Sequence, residues 1–214
     1  MTQTRIRVVR LIIAVAASAM CLMLLAVQSR PAQAAAEDVT PVAAQPCADE
    51  EGTDAAATCI LRLRQPLADT YSYFGEKVFL AQTFVAPQGR RVCKVDLLLT
   101  KHVAVPFGDP VLAQIQTLGG VTLDSTFIPS GIMPLGVPAW QTFTFGCDGG
   151  DLIAGQTYRL VVFSRPNTPR DAFQWHRNSA SVIVGQAQRK YDLGVFNNIA
   201  PVGSDFAFRL YMCY

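Results

Sequence analysis

The sequence predicts an all-β domain, an antiparallel β-sandwich of about eight or nine strands. Three observations predict it. From Val78 onward, short segments alternate apolar and polar residues at the period of a half-buried strand. Gly, Pro, Asn and Asp interrupt those segments at short intervals, as turns require. Apolar residues at helical spacing are scarce. Two stacked antiparallel sheets are the economical way to bury one face of many such strands.

Taken in order, the first residues read as an export signal. Arg5, Arg7 and Arg10 precede an uncharged run of 17 residues, Leu11 to Val27, and then Ala32-Gln33-Ala34 in an A-x-A arrangement. The run is slightly long for a signal core of roughly 7 to 15 residues and short of the roughly 20 that span a membrane. Cleavage after Ala34 is expected over retention as an N-terminal anchor, which leaves 180 residues, enough for one domain with a sizeable core. Cys21 has no small-residue setting around it, so lipid anchoring is not expected. The location expected is secreted or periplasmic, in the cell envelope.

The leader carries four of the 18 basic residues and none of the 16 acidic ones, so the mature chain has a net charge of −2. A near-neutral balance argues against a nucleic-acid partner, which needs clustered Lys and Arg. Stable membrane insertion is not expected once the leader is removed. Residues 35–77 read as an Ala-rich, acidic leader to the domain: Glu37, Asp38, Asp49, Glu50, Glu51 and Asp54 occur there with no base among them up to Cys59. Residues 78–214 are assigned to the sandwich.

Five cysteines remain after cleavage, and an exported chain meets an oxidising environment where bridges persist. Cys47 and Cys59 would close a short local loop, contributing about 3 kcal/mol by loop entropy. Cys93 and Cys213 would meet if the first and last long strands are neighbours. Cys147 is then left over. No two of the five have C-x-x-C spacing, so zinc is not expected.

The strands follow. Val78 to Val85 comes first, and Arg91 to Thr100 places Cys93, Val95, Leu97 and Leu99 opposite Lys94, Asp96 and Thr100. Val111 to Leu118, Val121 to Phe127, Trp140 to Phe145, Tyr158 to Phe163 and Phe173 to Arg177 continue the pattern. Ser181 to Gln188, a short segment near Val195, and Phe206 to Met212 complete it. Ile128 to Pro138, with three prolines that cannot donate to a ladder, reads as a surface loop.

Four of these segments together resemble a bacterial family of exported jelly-roll domains, the "choice-of-anchor" kind, similar to carbohydrate-binding modules and galactose-binding-like domains. They are Ala81-Gln82-Thr83-Phe84-Val85-Ala86-Pro87, Trp140-Gln141-Thr142-Phe143-Thr144-Phe145, Leu152-Ile153-Ala154-Gly155-Gln156-Thr157-Tyr158-Arg159-Leu160 and Asp205-Phe206-Ala207-Phe208-Arg209-Leu210-Tyr211. The resemblance spans roughly Val78 to Cys213. It implies jelly-roll winding and a non-catalytic accessory or surface domain, with no active site to carry over. The chain ends directly after its last strand, so a C-terminal anchor is not expected, and the cysteines are additional to the shared segments.

Candidate chemistry is sparse. His102 and His176 are the only histidines, neither in a metal-binding spacing, and no G-x-S-x-G elbow occurs. Asp148, Asp151 and Asp171 are the carboxylates that a glycosidase pair, about 5 to 9.5 Å apart, would draw on, yet all three lie in turn contexts that favour Asp for local hydrogen bonds. Asp148 and Asp151 also offer oxygens of the kind that hold a structural Ca²⁺, although their spacing matches no EF-hand loop. No other cofactor is expected.

Aromatic faces that stack on sugars remain. Trp175, followed by His176 and Arg177, is the candidate ligand-binding group, although the favoured reading is that Phe173 and Trp175 share the core side of a strand with Gln174 and His176 outward. Trp140 reads as a lid on the core, and Tyr71, Tyr73 and Phe74 as cover for a sheet edge. The function expected is a non-catalytic binding module for carbohydrate or cell-envelope glycan. A structural or protein-interaction sandwich without a small-molecule site is the alternative, and an enzyme with an unfamiliar site, His102 or His176 beside an Asp, is the third.

Overall fold

The computed structural model describes residues 59–103, 109–146, 149–165, 168–180 and 185–213. The segment expected to be an export leader, Cys47, Cys147 and Asp148 lie outside them. Within them the chain forms thirteen strands: β1 (Cys59–Gln65), β2 (Thr70–Phe74), β3 (Val78–Val85), β4 (Val92–Lys101), β5 (Pro110–Thr117), β6 (Thr122–Pro129), β7 (Ala139–Thr144), β8 (Thr157–Ser164), β9 (Phe173–Asn178), β10 (Ala187–Tyr191), β11 (Asn197–Asn198), β12 (Asp205–Phe206) and β13 (Phe208–Cys213). A 3₁₀ turn, Ser130–Ile132, opens the proline-rich loop, where Ile132, Leu135 and Val137 are exposed.

The strands form two antiparallel sheets, the sandwich expected from the alternation. The first runs β1-β13-β4-β9-β12, with β2 also paired to β9 and β7 to β4; the second runs β11-β10-β3-β8-β5-β6. From β3 to β10 the chain changes sheet at nearly every connection, which is jelly-roll winding. The inward faces make one core. Val95, Leu97 and Leu99 of β4 and Phe173 and Trp175 of β9 meet Leu80, Phe84, Ile115, Leu160 and Val162 of the other sheet. Apolar area removed from water at about 25 cal/mol per Å² is the main stabilising term of such a core.

The polar side of β4 is also covered. Asp96 accepts hydrogen bonds from the hydroxyls of Thr142 (2.8 Å) and Tyr211 (2.9 Å), with the Arg209 guanidinium 3.9 Å away. These partners come from β7 and β13, which flank β4 on both sides.

Three boundaries differ from expectation. The sandwich takes in β1 and β2, which lie before the Val78 boundary: β1 pairs along β13 and β2 along β9. Their half-exposed side chains give weak hydrophobic contrast in the sequence. The strand expected over Ser181 to Gln188 is instead Ala187–Tyr191, aligned on β3 from Ala187 opposite Gln82 to Tyr191 opposite Val78; residues 181–184 lie outside the described set. The short segment near Val195 is the two-residue β11. The thirteen strands exceed the expected eight or nine because β1 and β2 precede Val78 and because β11 and β12 are separate two-residue pieces. At Gly75, between β2 and β3, a Cβ would stand 1.8 Å from the Pro169 carbonyl oxygen, so only glycine lets the two backbones approach.

The disulfide is a correction. Cys59 bonds to Cys93, so neither Cys47–Cys59 nor Cys93–Cys213 forms, and Cys213 is a buried free thiol. The premise that first and last long strands are neighbours holds, since β13 pairs with β4 (Met212 opposite Val92). The pairing of β1 with β13 decides the outcome, because it sets Cys59 opposite Cys213 and so beside Cys93. Burial raises the Cys213 thiol pKa and keeps it protonated. A structural disulfide of this kind persists in oxidising compartments outside the cytosol.

Closing the 34-residue separation contributes about 3 to 4 kcal/mol by loop entropy. A non-reducing digest of exported protein is expected to release a Cys59–Cys93 peptide, and Cys59→Ser to lower the unfolding free energy by about that amount. Recovery of Cys47 joined to Cys59 would overturn the pairing.

Candidate functional site

Alternation along β9 decides the fate of the three residues singled out from the sequence. Phe173, Trp175 and Arg177 share the inward face, while Gln174 and His176 point outward. Trp175 is fully buried. Its ring stacks on Phe206 with centroids 4.2 Å apart and an interplanar angle of 13°, and its Nε1–H donates to the Ala207 carbonyl at 3.0 Å. A sugar cannot reach this face, so Trp175 is a core residue and not a stacking platform.

His176 sits half-buried on the outer face. It shares a 2.8 Å hydrogen bond with the Thr100 hydroxyl and meets Tyr71 edge-on at 5.8 Å. Burial lowers its pKa below the usual 6.5 by disfavouring the imidazolium. His102 is arranged similarly, with Gln174 Nε2 at 3.2 Å from its Nδ1 and Tyr73 edge-on at 5.0 Å. The hydrogen bonds of both histidines thus go to neutral partners.

Arg177 occupies the last inward position of β9, where the core opens to solvent. Its Nε–H donates to Ser72 Oγ (3.2 Å), its Nη1 to Ser204 Oγ (2.9 Å) and its Nη2 to the Ala200 carbonyl (3.3 Å). On the opposing sheet, Arg189 and Tyr191 of β10 pair with Leu80 and Val78, two core residues, and therefore also face inward. Between these strands lies an open cleft of about 430 Å³, lined by Tyr71, Arg177, Arg189, Tyr191, Asn197 and Asn198 among others. A second lobe of about 260 Å³ shares Arg189 and Tyr191 and extends toward Tyr73, Arg170 and Asp171. Together they make a groove across the mouth of the sandwich.

The groove is electropositive. Burial depresses the pKa of Arg177, Asp69 opposes that shift, and Arg189 adds to it, so the two guanidinium groups feel each other's charge. Asp69 is itself engaged by the backbone N–H and hydroxyl of Ser179. Arg189 donates to the Tyr191 hydroxyl at 3.1 Å and lies 5.8 Å from that ring's centre; its Nε–H is buried with no acceptor among the described residues.

Of the residues expected to bind ligand, the structure thus brings only Arg177 to the groove. Arg189, Tyr191, Asn197 and Asn198 were not singled out from the sequence. Trp140 is half-buried under the Arg209 guanidinium, 4.0 Å from the ring centre. Asp171 lines the smaller lobe, and Asp151 is exposed in a separate loop. No protein-family model matches this chain, and no curated protein matches it in sequence.

Two outcomes follow. Trp175→Ala is expected to cost about 3 to 5 kcal/mol in urea unfolding, the range for a buried large aromatic; a cost near zero would place Trp175 at the surface. His176 has a folded-state pKa below its unfolded value, so its contribution is fully present above about pH 6.5 and declines as the pH falls through the depressed folded value. The melting temperature of the wild type is expected to drop over that acid limb more steeply than that of His176→Gln, and parallel profiles would refute this.

Proposed function

We propose that this chain is an exported, non-catalytic binding module whose ligand is a carbohydrate or cell-envelope glycan seated in the groove at the sandwich mouth. One observation carries the reading: two strands of opposite sheets turn Arg177 and Arg189 inward where the core ends, the latter beside Tyr191, and leave an open groove of mixed polar and apolar lining between them. Sugar recognition needs flat apolar faces and fixed donors and acceptors together. Tyr191, inward beside Arg189 and substantially exposed, offers a face, with Tyr71 at the rim; Asn197, Asn198 and the arginines offer the polar contacts.

The N-terminal sequence supports export, as does a disulfide of the sort that persists outside the cytosol. The likeness of four segments to exported choice-of-anchor domains supports an accessory role in the cell envelope. A non-catalytic role is consistent with histidines whose hydrogen bonds serve Thr100 and Gln174. The burial of Trp175 favours a second reading, a structural or protein-interaction sandwich without a small-molecule site.

Glycan-array binding and insoluble-polysaccharide pull-down with mature protein separate the two. The expected result is retention on at least one glycan, weakened about tenfold or more, which is about 1.4 kcal/mol, in a folded Tyr71→Ala, Tyr191→Ala double variant. Absence of binding to every glycan would overturn the module reading in favour of the structural one.

A further inference from the structure

Arg177 and Arg189 stand at positions that alternation assigns to the core. Along β9 the inward series is Phe173, Trp175, Arg177, and along β10 it is Ala187, Arg189, Tyr191. An arginine there loses part of its hydration, a cost that an opposing charge ordinarily offsets. Here the acceptors of Arg177 are two serine hydroxyls and a carbonyl, and that of Arg189 is a tyrosine hydroxyl, all neutral. The ion pairs of Lys77 with Glu76 and of Arg209 with Asp96 lie elsewhere. Asp69 acts on Arg177 only at longer range, and Asp171 lines the smaller lobe together with Arg170 and Arg189.

The groove thus sets Arg170, Arg177 and Arg189 against Asp171 as its lining carboxylate and keeps a net positive charge. Arg177 is held by three hydrogen bonds, so its remaining N–H groups are oriented in advance of any ligand. Arg189 brings a buried Nε–H that lacks an acceptor. Two guanidinium groups on strands of opposite sheets, with the Tyr191 ring beside Arg189, match an anionic group attached to a flat ring. The two lobes, sharing Arg189 and Tyr191, lengthen the site beyond a single ring and suit an extended chain.

We propose, resting on the glycan reading above, that the groove selects acidic oligosaccharides, in which a uronate carboxylate or a sulfate ester is bound between Arg177 and Arg189. Neutral sugars of the same shape leave both cations unpaired and bind more weakly.

The test measures affinity of the mature protein for three soluble probes: oligogalacturonate, its methyl ester, and a sulfated galactan oligosaccharide. Neutral oligosaccharides are run beside them. At least one acidic probe is expected to bind about tenfold or more tighter than the methyl ester, to weaken as salt is raised across the range where exposed charges are screened, and to lose most of its affinity in Arg189→Gln. Arg177→Gln serves as the second variant, with both checked for an unchanged far-ultraviolet spectrum. Equal binding of the methyl ester, preference for a neutral oligosaccharide, or unchanged acidic binding in both variants overturns acidic selection and leaves the glycan reading standing. Silence from every probe, acidic and neutral, overturns the glycan reading itself.

Discussion

A single buried amide joins the two sheets. Gln82 of β3 accepts the Phe206 backbone N–H at its Oε1 (2.8 Å) and donates from Nε2 to Asp205 Oδ1 (2.8 Å) and to the Thr83 carbonyl (3.0 Å), with Gln82, Asp205 and Phe206 all fully buried. In water such groups would be solvated, so inside the core they are tolerable only because each is paired; an orphaned member would cost about 1 to 3 kcal/mol. The clamp fixes Phe206 where Trp175 stacks on it. The next residue, Ala207, donates to the His176 carbonyl and accepts both the Leu98 N–H and the Trp175 indole. Here the last stretch of chain leaves β9 and passes to β4, so one interaction sets the course of three strands.

The groove inherits its shape from this clamp. The segment leading into β12 carries Ala200 and Ser204, two of the three acceptors that hold Arg177, while Ser72 comes from β2 on the other side. Gln186, just before β10, accepts the Gly203 N–H and bonds with Thr83 beside Gln82. Thus the residues that orient one arginine and those that start the strand carrying the other are anchored within a few positions of the same buried amide. The open end of the sandwich is built on its most polar interior contact.

Alternation in the sequence carries the sandwich, the main strands and even the orientation of β9, because a period of two needs no tertiary information. It also holds the clue to the site. Placing Phe173 and Trp175 inward obliges Arg177 to point inward too, and a charged residue in a core-facing series marks a mouth or a site. The core reading of Phe173 and Trp175 already contains that parity. Arg189 and Tyr191 were harder to find: Gln188-Arg189-Lys190-Tyr191 alternates no apolar residues, and its inward face is defined only by pairing with Leu80 and Val78 across 100-odd positions of chain. The disulfide was illegible for the same reason. Only the pairing of β1 with β13 brings Cys59 to Cys93, and a strand whose side chains are half exposed leaves little hydrophobic contrast to read.

This architecture also determines where binding can be dissected from folding. Trp175, His176 and Arg177 are consecutive, yet the first belongs to the clamp, the second to the outer face and the third to the groove. Removing Trp175 would leave a cavity against Phe206 and loosen the segment that supplies Ala200 and Ser204 to Arg177, so any ligand would be lost through disorder and not through contact. Arg189 stands apart from that chain of dependence. Among the described residues its side chain hydrogen-bonds only to Tyr191, two residues away on its own strand, and no core residue there relies on its guanidinium. A function read at Arg189 is therefore a function of the groove, whereas one read at Trp175 is a property of the fold.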